Sequence, residues 1–280
     1  MLKIKYLSDL HLGRFFTDDQ VYGYINNAPP QNADVLVIAG DLTHSIQKLH
    51  KYGGDDPEEG TLLDDFIKWC DKSFPTTIIV PGNHEFYDGS DLEEYTNGVI
   101  YHISSNVIVA NNTIVPIRKK DSTKIYYFVC STMWSNVDAK SEPYVNTYLN
   151  DTYYINWMGE KLKANRFKDI HDICKSFIIN SLESLNKEGV FMSDVVLVTH
   201  HCPTSLCERP EHMNGPLSSA FISGDMENII KRYQPAYWIY GHTHYNKDIT
   251  IGSTNVVCNQ LGYGPKEALL FDFDKCITIK

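Results

Sequence analysis

The stretch ADVLVIAGD, Ala33 to Asp41, decides how the rest of the chain is read. Asp34 to Ala39 carries an apolar run too short for a buried helix, and it stops at Gly40-Asp41. Such a run, bounded by polar and glycine residues, predicts a strand buried on both faces that ends in a tight loop. Working outward, the same shape recurs four times. Lys3 to Leu7 runs into Ser-Asp-Leu-His, and Thr76 to Val80 into Pro81-Gly82-Asn83-His84. Asp194 to Val198 runs into Thr199-His200-His201, and Ala236 to Tyr240 into Gly241-His242-Thr243-His244.

Helical patterns lie between these strands. Leu62, Leu63, Phe66, Ile67 and Cys70 share one helical face. So do Ile170, Ile173, Cys174, Phe177, Ile178, Ser181, Leu182 and Leu185, with Gly189 as the expected stop. Met226, Ile229, Ile230 and Tyr233 make a shorter face. Strands alternating with helices predict an α/β fold with buried sheets. The tail segments Asn255 to Cys258, Ala268 to Phe273 and Ile277 to Ile279 are expected to close a second sheet. Residues 133–165, rich in Asn, Tyr, Ser and Trp, follow no clean period and are expected to form an irregular, cap-like insertion over one end of the sheets. No repeat or Pro/Gly-rich linker divides the chain, so residues 1–280 are read as a single domain.

Composition sets limits. The 280 residues are 42% hydrophobic and 21% charged, as in a globular chain with a sizeable core. No apolar run is long enough to span a membrane, and the N-terminal apolar stretch is interrupted by Asp9, so the cytoplasm is the expected compartment. Seven cysteines without a C-x-x-C pair predict isolated buried thiols rather than a disulfide framework. The formal charge of −10 and the absence of a Lys/Arg run argue against duplex DNA as a partner.

The strand-end loops carry the chemistry. Histidines 11, 84, 200, 201, 242 and 244 all fall in them, beside Asp9, Asp41 and Asn83. Strand ends of one packed sheet converge, so residues far apart in sequence can form one cluster. Imidazole and carboxylate donors without thiolates suit manganese, iron or zinc. Asp9 and His11 lie two apart, as do His242 and His244, and in extended geometry such pairs point to one side. Asp41 has two carboxylate oxygens, enough to bridge two ions roughly 3.5–4 Å apart. Gly40, Gly82 and Gly241 each precede a candidate ligand, where the lack of a Cβ permits a sharp turn. Two divalent ions set against Asp9, Asp41 and a hydroxide leave a charge of about +1, suited to an anionic phosphate ester. Taken alone, Gly-Asp marks an ordinary turn and Asp-x-His is weak; the signal is their joint appearance at five strand ends.

In order, Asp9-x-His11, Gly40-Asp41, Gly82-Asn83-His84-Glu85, His200-His201 and Gly241-His242-x-His244 resemble the calcineurin-like metallophosphoesterase superfamily. The wording ADVLVIAGD and VPGNHEFY, with Trp134, Asn150-Asp151 and VVCNQLGY at 256–263, is similar to a bacterial and phage-type branch. The resemblance implies a four-layer α/β/β/α sandwich of two mixed sheets flanked by helices, with the metal site at the strand ends. It implies one ion held by Asp9, His11, Asp41 and His244 and a second held by Asp41, Asn83, His200 and His242. The implied cofactor is a pair of divalent ions, manganese first, with iron, zinc, nickel or magnesium as alternatives. His84 matches the family's catalytic histidine, placed to give a proton or hydrogen bond to the leaving oxygen. The implied reaction is hydrolysis of a phosphomonoester or phosphodiester by in-line attack of a metal-bridging hydroxide. The expected partner is a phosphorylated small molecule or phosphoprotein, with no membrane; the alternatives are a nuclease for single-stranded nucleic acid and a non-catalytic scaffold. Arg14 and His201 are candidate substrate contacts, with Trp134 and Tyr263 as further candidates for the cleft wall. For Trp134 and the tyrosines at 144, 148, 153 and 154, core packing is preferred over stacking on a substrate ring.

Overall fold

The computed structural model describes residues 1–13, 18–28, 32–50 and 61–280. Its strands are β1 (Leu2–Leu7), β2 (Val35–Ala39), β3 (Thr76–Val80), β4 (Val99–His102), β5 (Val107–Asn111), β6 (Thr113–Arg118), β7 (Ile125–Ser131), β8 (Asn156–Trp157), β9 (Glu160–Lys161), β10 (Val195–Thr199), β11 (Tyr237–Tyr240), β12 (Ile249–Ile251), β13 (Thr254–Cys258) and β14 (Cys276–Ile279). The helices are α1 (Asp18–Asn27), α2 (Ile46–His50), α3 (Leu62–Ser73), α4 (Glu93–Thr96), α5 (Glu142–Tyr148), α6 (Asp151–Tyr154), α7 (Ala164–Lys187), α8 (Ser218–Phe221) and α9 (Glu227–Tyr233).

Two six-stranded sheets carry the fold, ordered β14-β1-β2-β3-β5-β4 and β12-β13-β11-β10-β7-β6. They share one plan. In each, four central strands run parallel and one antiparallel strand closes each edge. Alternate residues of each strand divide between two cores. Ile4, Tyr6, Val35, Val37, Ile78 and Val80 meet Phe128, Cys130, Val196, Val198 and Ile239 between the sheets. Leu36, Ile38 and Ile79 on one sheet, and Leu197 and Trp238 on the other, face outward onto helical residues such as Phe66, Ile67, Ile170, Cys174 and Ile230. The molecule is therefore a mixed α/β sandwich, α/β/β/α, and its sheets are covered on both faces. This coverage is why the strands read as unbroken apolar runs rather than as alternating ones. Each fully buried Val or Ile on these faces contributes roughly 1.5–3 kcal/mol.

Helix α3 starts at a capping box: the Thr61 hydroxyl accepts from Asp64 N–H while the Asp64 carboxylate faces the Thr61 backbone N–H. Helix α7 begins at Ala164, before the first residue of the predicted apolar face, and ends just before Gly189, which takes φ +79°. Ile173 leaves that face and is partly exposed.

Two expectations for the tail fail. Ala268 to Phe273 is not a strand; residues 268–270 form a 3₁₀ turn with Leu269 and Leu270 exposed. The apolar run Ala268 to Phe271 mimics a buried strand in sequence, but its leucines point to solvent. Ile277 to Ile279 belongs to β14, which pairs with β1 in the first sheet, not the second. The strands between residues 99 and 131 escaped the sequence reading, although β5 and β7 are central members of the two sheets. Residues 133–165 hold α5, α6 and the β8–β9 hairpin, with α7 beginning at residue 164. All seven cysteines are free thiols. Among the described residues no helix is long and apolar enough to cross a membrane.

Candidate metal centre

Parallel strands of the two sheets deliver their C-terminal ends to one place, and the loops there are tightly bent. Asp9, His11, Asp41, His242 and His244 have φ of +57°, +47°, +53°, +72° and +46°. The extended geometry expected for Asp9-x-His11 and His242-x-His244 is thus replaced by left-handed turns. Asp and His tolerate that region better than most residues, at a cost of order 1–3 kcal/mol each. The preceding glycines make the approach physically possible. A Cβ on Gly40 (φ +87°) would lie 2.1 Å from His200 Nδ1, and one on Gly82 2.1 Å from Asp41 Oδ1. A Cβ on Gly241 would lie 2.7 Å from the Ala39 carbonyl oxygen and 2.8 Å from Asp9 Oδ2.

The loops are laced by main-chain bonds: Asp9 N–H donates to Gly40 O (3.0 Å), His11 N–H to Asp41 O (2.9 Å) and Gly241 N–H to His200 O (2.9 Å). The result brings all seven candidate ligands together. One oxygen or nitrogen from each of Asp9, His11, Asp41 and His244 lies within 4.8 Å of the others, and the same holds for Asp41, His200 and His242. Asn83 Oδ1 joins the second set, 3.0 Å from His200 Nε2. The two sets overlap at Asp41.

These donors fit divalent cations. His200 directs Nδ1 to the Ala39 carbonyl (2.9 Å), and His244 directs Nδ1 to Glu267 Oε2 (3.0 Å). In the neutral ring that leaves each Nε2 lone pair facing the cluster, as in histidines oriented for metal binding. His242 Nε2 is buried and has no hydrogen-bond partner among the described residues. His11 Nε2 and His244 Nε2 face each other at 3.2 Å. Asp9 and Asp41 are fully enclosed, and buried carboxylates require compensating positive charge. Burial disfavours charge on His200 and His244, but Asp41 outweighs it at His200 and the Asp9 and Glu267 carboxylates at His244, holding both near 9. Burial lowers the pKa of His11, His84, His201 and His242.

His84 sits beside both sets, its Nε2 3.8 Å from Asp41 Oδ2 and 3.0 Å from the Tyr263 hydroxyl. Its Nδ1 is 3.2 Å from His44 Nδ1, and its ring stacks on Tyr87 with centroids 4.2 Å apart. His201 is fully buried behind His200, with its main-chain N–H donating to Thr132 O (3.1 Å). Its ring packs against Trp134 and His242, so it faces the interior, not an open cleft. Trp134 is likewise buried, against Phe167 and Phe86. Arg14 lies outside the described residues. The tyrosines at 144, 148, 153 and 154 are 46, 68, 53 and 50% exposed, which overturns core packing as their role.

Several contributors escaped the sequence reading. Glu85 is fully buried and accepts from the N–H groups of Asp41 (3.0 Å), Thr43 (2.9 Å) and Gly82 (2.6 Å), tying two loops together. Burial and the Asp41 charge push its carboxyl up to about 7. Glu267 orients His244 and accepts from Tyr263 N–H (2.7 Å). Asp151, raised by burial to about 6, accepts from Asn83 Nδ2. A 260 Å³ cleft opens onto Asp41, Asn83, His84, His242 and His244, with Tyr148, Arg209 and Tyr263 on its walls. The Arg209 guanidinium donates to His244 O (2.6 Å). Glu85 after Asn-His and Asp151 in Asn150-Asp151 stand in stretches that the sequence singles out without disclosing their roles; Glu267 lies in a stretch that carries no motif.

The sequence model for calcineurin-like phosphoesterases matches residues 2–246. An uncharacterized protein of Acanthamoeba polyphaga mimivirus, L509, is 24% identical over 93% of this chain and 91% of its own length. The crystal structure of a phosphopantetheinyl hydrolase from Mycobacterium tuberculosis is similar, with a TM-score of 0.65. That match has 16% identity and covers 95% of this chain and 90% of the mycobacterial one.

Proposed function

From the premise that this chain belongs to the calcineurin-like phosphoesterase family, we propose that it hydrolyses a phosphate ester at a dinuclear centre of divalent cations, manganese first. The observation that carries this reading is the pair of ligand sets sharing Asp41 beside His84. Asp9, His11, Asp41 and His244 would hold one ion, and Asp41, Asn83, His200 and His242 the other. Bound there, such ions supply Lewis-acid charge to the phosphoryl oxygens and activate water near neutral pH.

The chain's own residues do the rest. His84 stands at the cleft face of the cluster and gives a proton or hydrogen bond to the departing oxygen. Tyr263 holds the His84 Nε2 side through its hydroxyl. Glu267 and the Ala39 carbonyl fix the ring orientations of His244 and His200. His201, buried behind His200, supports that ring rather than touching substrate.

The test is hydrolysis of bis-p-nitrophenyl and p-nitrophenyl phosphate with manganese supplied. Activity that chelator abolishes and metal restores is expected, with His84→Ala lowering kcat by about 10²–10⁴. Full activity in His84→Ala, or activity indifferent to chelator, overturns the reading. A phosphopantetheinyl ester belongs in the substrate panel because the similar mycobacterial structure bears that name.

A further inference from the structure

Asn83 poses a problem of orientation. Its side-chain amide has an oxygen able to ligate a cation and an NH₂ that would repel one, and a half-turn of the amide exchanges them. Sheet geometry does not choose between the two. A second group has to.

Asp151 supplies that choice. It is the first residue of α6, is fully buried, and its Oδ1 lies 2.8 Å from Asn83 Nδ2. A carboxylate only accepts hydrogen bonds, so the NH₂ must face it and the amide oxygen must face His200 Nε2, 3.0 Å away. The same Oδ1 accepts from the Tyr87 hydroxyl at 2.6 Å. Tyr87 follows Asn83 by four residues, across the short turn His84–Phe86, and its ring lies almost parallel to His84, at 27°. One oxygen therefore reaches both a candidate ligand and, through Tyr87, the candidate acid. The other oxygen, Oδ2, is buried without a hydrogen-bond partner among the described residues, so the side-chain hydrogen bonds described for this carboxylate are those to Asn83 and Tyr87.

We infer that Asp151 is the positioning residue of this centre: a carboxylate from the segment before α7 that locks the Asn83 amide oxygen toward the ions and seats Tyr87 over His84. The inference rests on the metal-centre reading above. It gives the tyrosine-rich segment a task at the site that involves no contact with substrate.

The experiment is calorimetric titration of manganese into metal-stripped wild type, Asp151→Leu and Asp151→Asn, with kcat and KM measured in parallel. Leucine fills similar space and cannot accept a hydrogen bond; asparagine still can. Asp151→Leu should bind manganese about 10–100-fold more weakly, as when a residue supporting a ligand is lost. Asp151→Asn should restore affinity to within about threefold of wild type, under 0.7 kcal/mol. The loss should fall on kcat and metal affinity, with KM nearly unchanged. Wild-type affinity in Asp151→Leu overturns the inference, as does an equal loss in Asp151→Asn. Should the leucine variant not fold, Asp151→Ser, whose hydroxyl stops short of both donors, should show the same loss, and wild-type affinity in it would overturn the inference equally. A wild-type protein that takes up no manganese brings down the metal reading and this inference with it; equal uptake by wild type and Asp151→Leu removes only the inference.

Discussion

The strand-end loops and the segment carrying α5, α6 and the β8–β9 hairpin reach the same cluster by different means. The loops hold their side chains through the backbone: five residues in left-handed turns, and glycines whose Cβ atoms would collide with Asp41, His200 or Asp9. The segment reaches in with one buried carboxylate, while Tyr144 and Tyr153 stay exposed on its outside and Tyr148 lines the cleft mouth. Geometry imposed by the backbone leaves no slack at any position of the turn. Geometry imposed by one hydrogen-bonding oxygen leaves the exposed positions of the segment free to vary, while Val145, Ile155 and Trp157 anchor it in the core.

That contrast can be broken most forcefully at the glycines. Gly40→Ala adds a left-handed alanine and a Cβ 2.1 Å from His200 Nδ1. It should destabilise the fold by about 3 kcal/mol or more and remove activity, as read by urea unfolding and turnover. Near-native stability would show that the loops have the slack denied to them here. Glu267→Ala should act next most strongly. It frees the His244 ring and should weaken manganese binding about 10–100-fold without large loss of stability. Unchanged affinity would remove Glu267 from the account.

How much of this was legible follows the same division. A ligand in the turn after a buried strand leaves a local mark, such as Gly40-Asp41 or Gly82-Asn83, and five such strand ends gave away the centre. Asp151 and Glu267 act across loops separated by 68 and 23 residues from the partners they hold. No periodicity or spacing records such contacts. His44 stood unread three residues past Asp41, because nothing local shows that its ring would meet His84. Strand β14 failed for a related reason: an apolar alternation shows that a strand forms, not which sheet accepts it.

Acid should reveal a weaker contrast between the fold and the centre. Asp225, away from the ligand cluster, pairs with His171 and Lys175 on α7. Burial raises its carboxyl, but hydrogen bonds from His171 and Lys175 outweigh that and hold it at about 2. A depressed carboxyl pKa means the unfolded chain binds more protons, so the stabilisation is complete above about pH 4 and is lost as pH falls toward 2. Asp225→Asn should flatten the fall in unfolding midpoint between about pH 5 and 3. An unchanged slope would show that the pairing does not hold α7. The smallest effect belongs to the outside of the segment: Tyr153→Ala should shift stability by no more than about 0.5 kcal/mol. A larger loss would mean that the exposed tyrosines bear on the site after all.

The central claim is that two ligand sets meeting at Asp41 hold two cations. Metal analysis of the purified chain, reconstituted with manganese and freed of excess ions, tests it most directly. Two ions per chain are predicted. Fewer than one per chain would contradict the account.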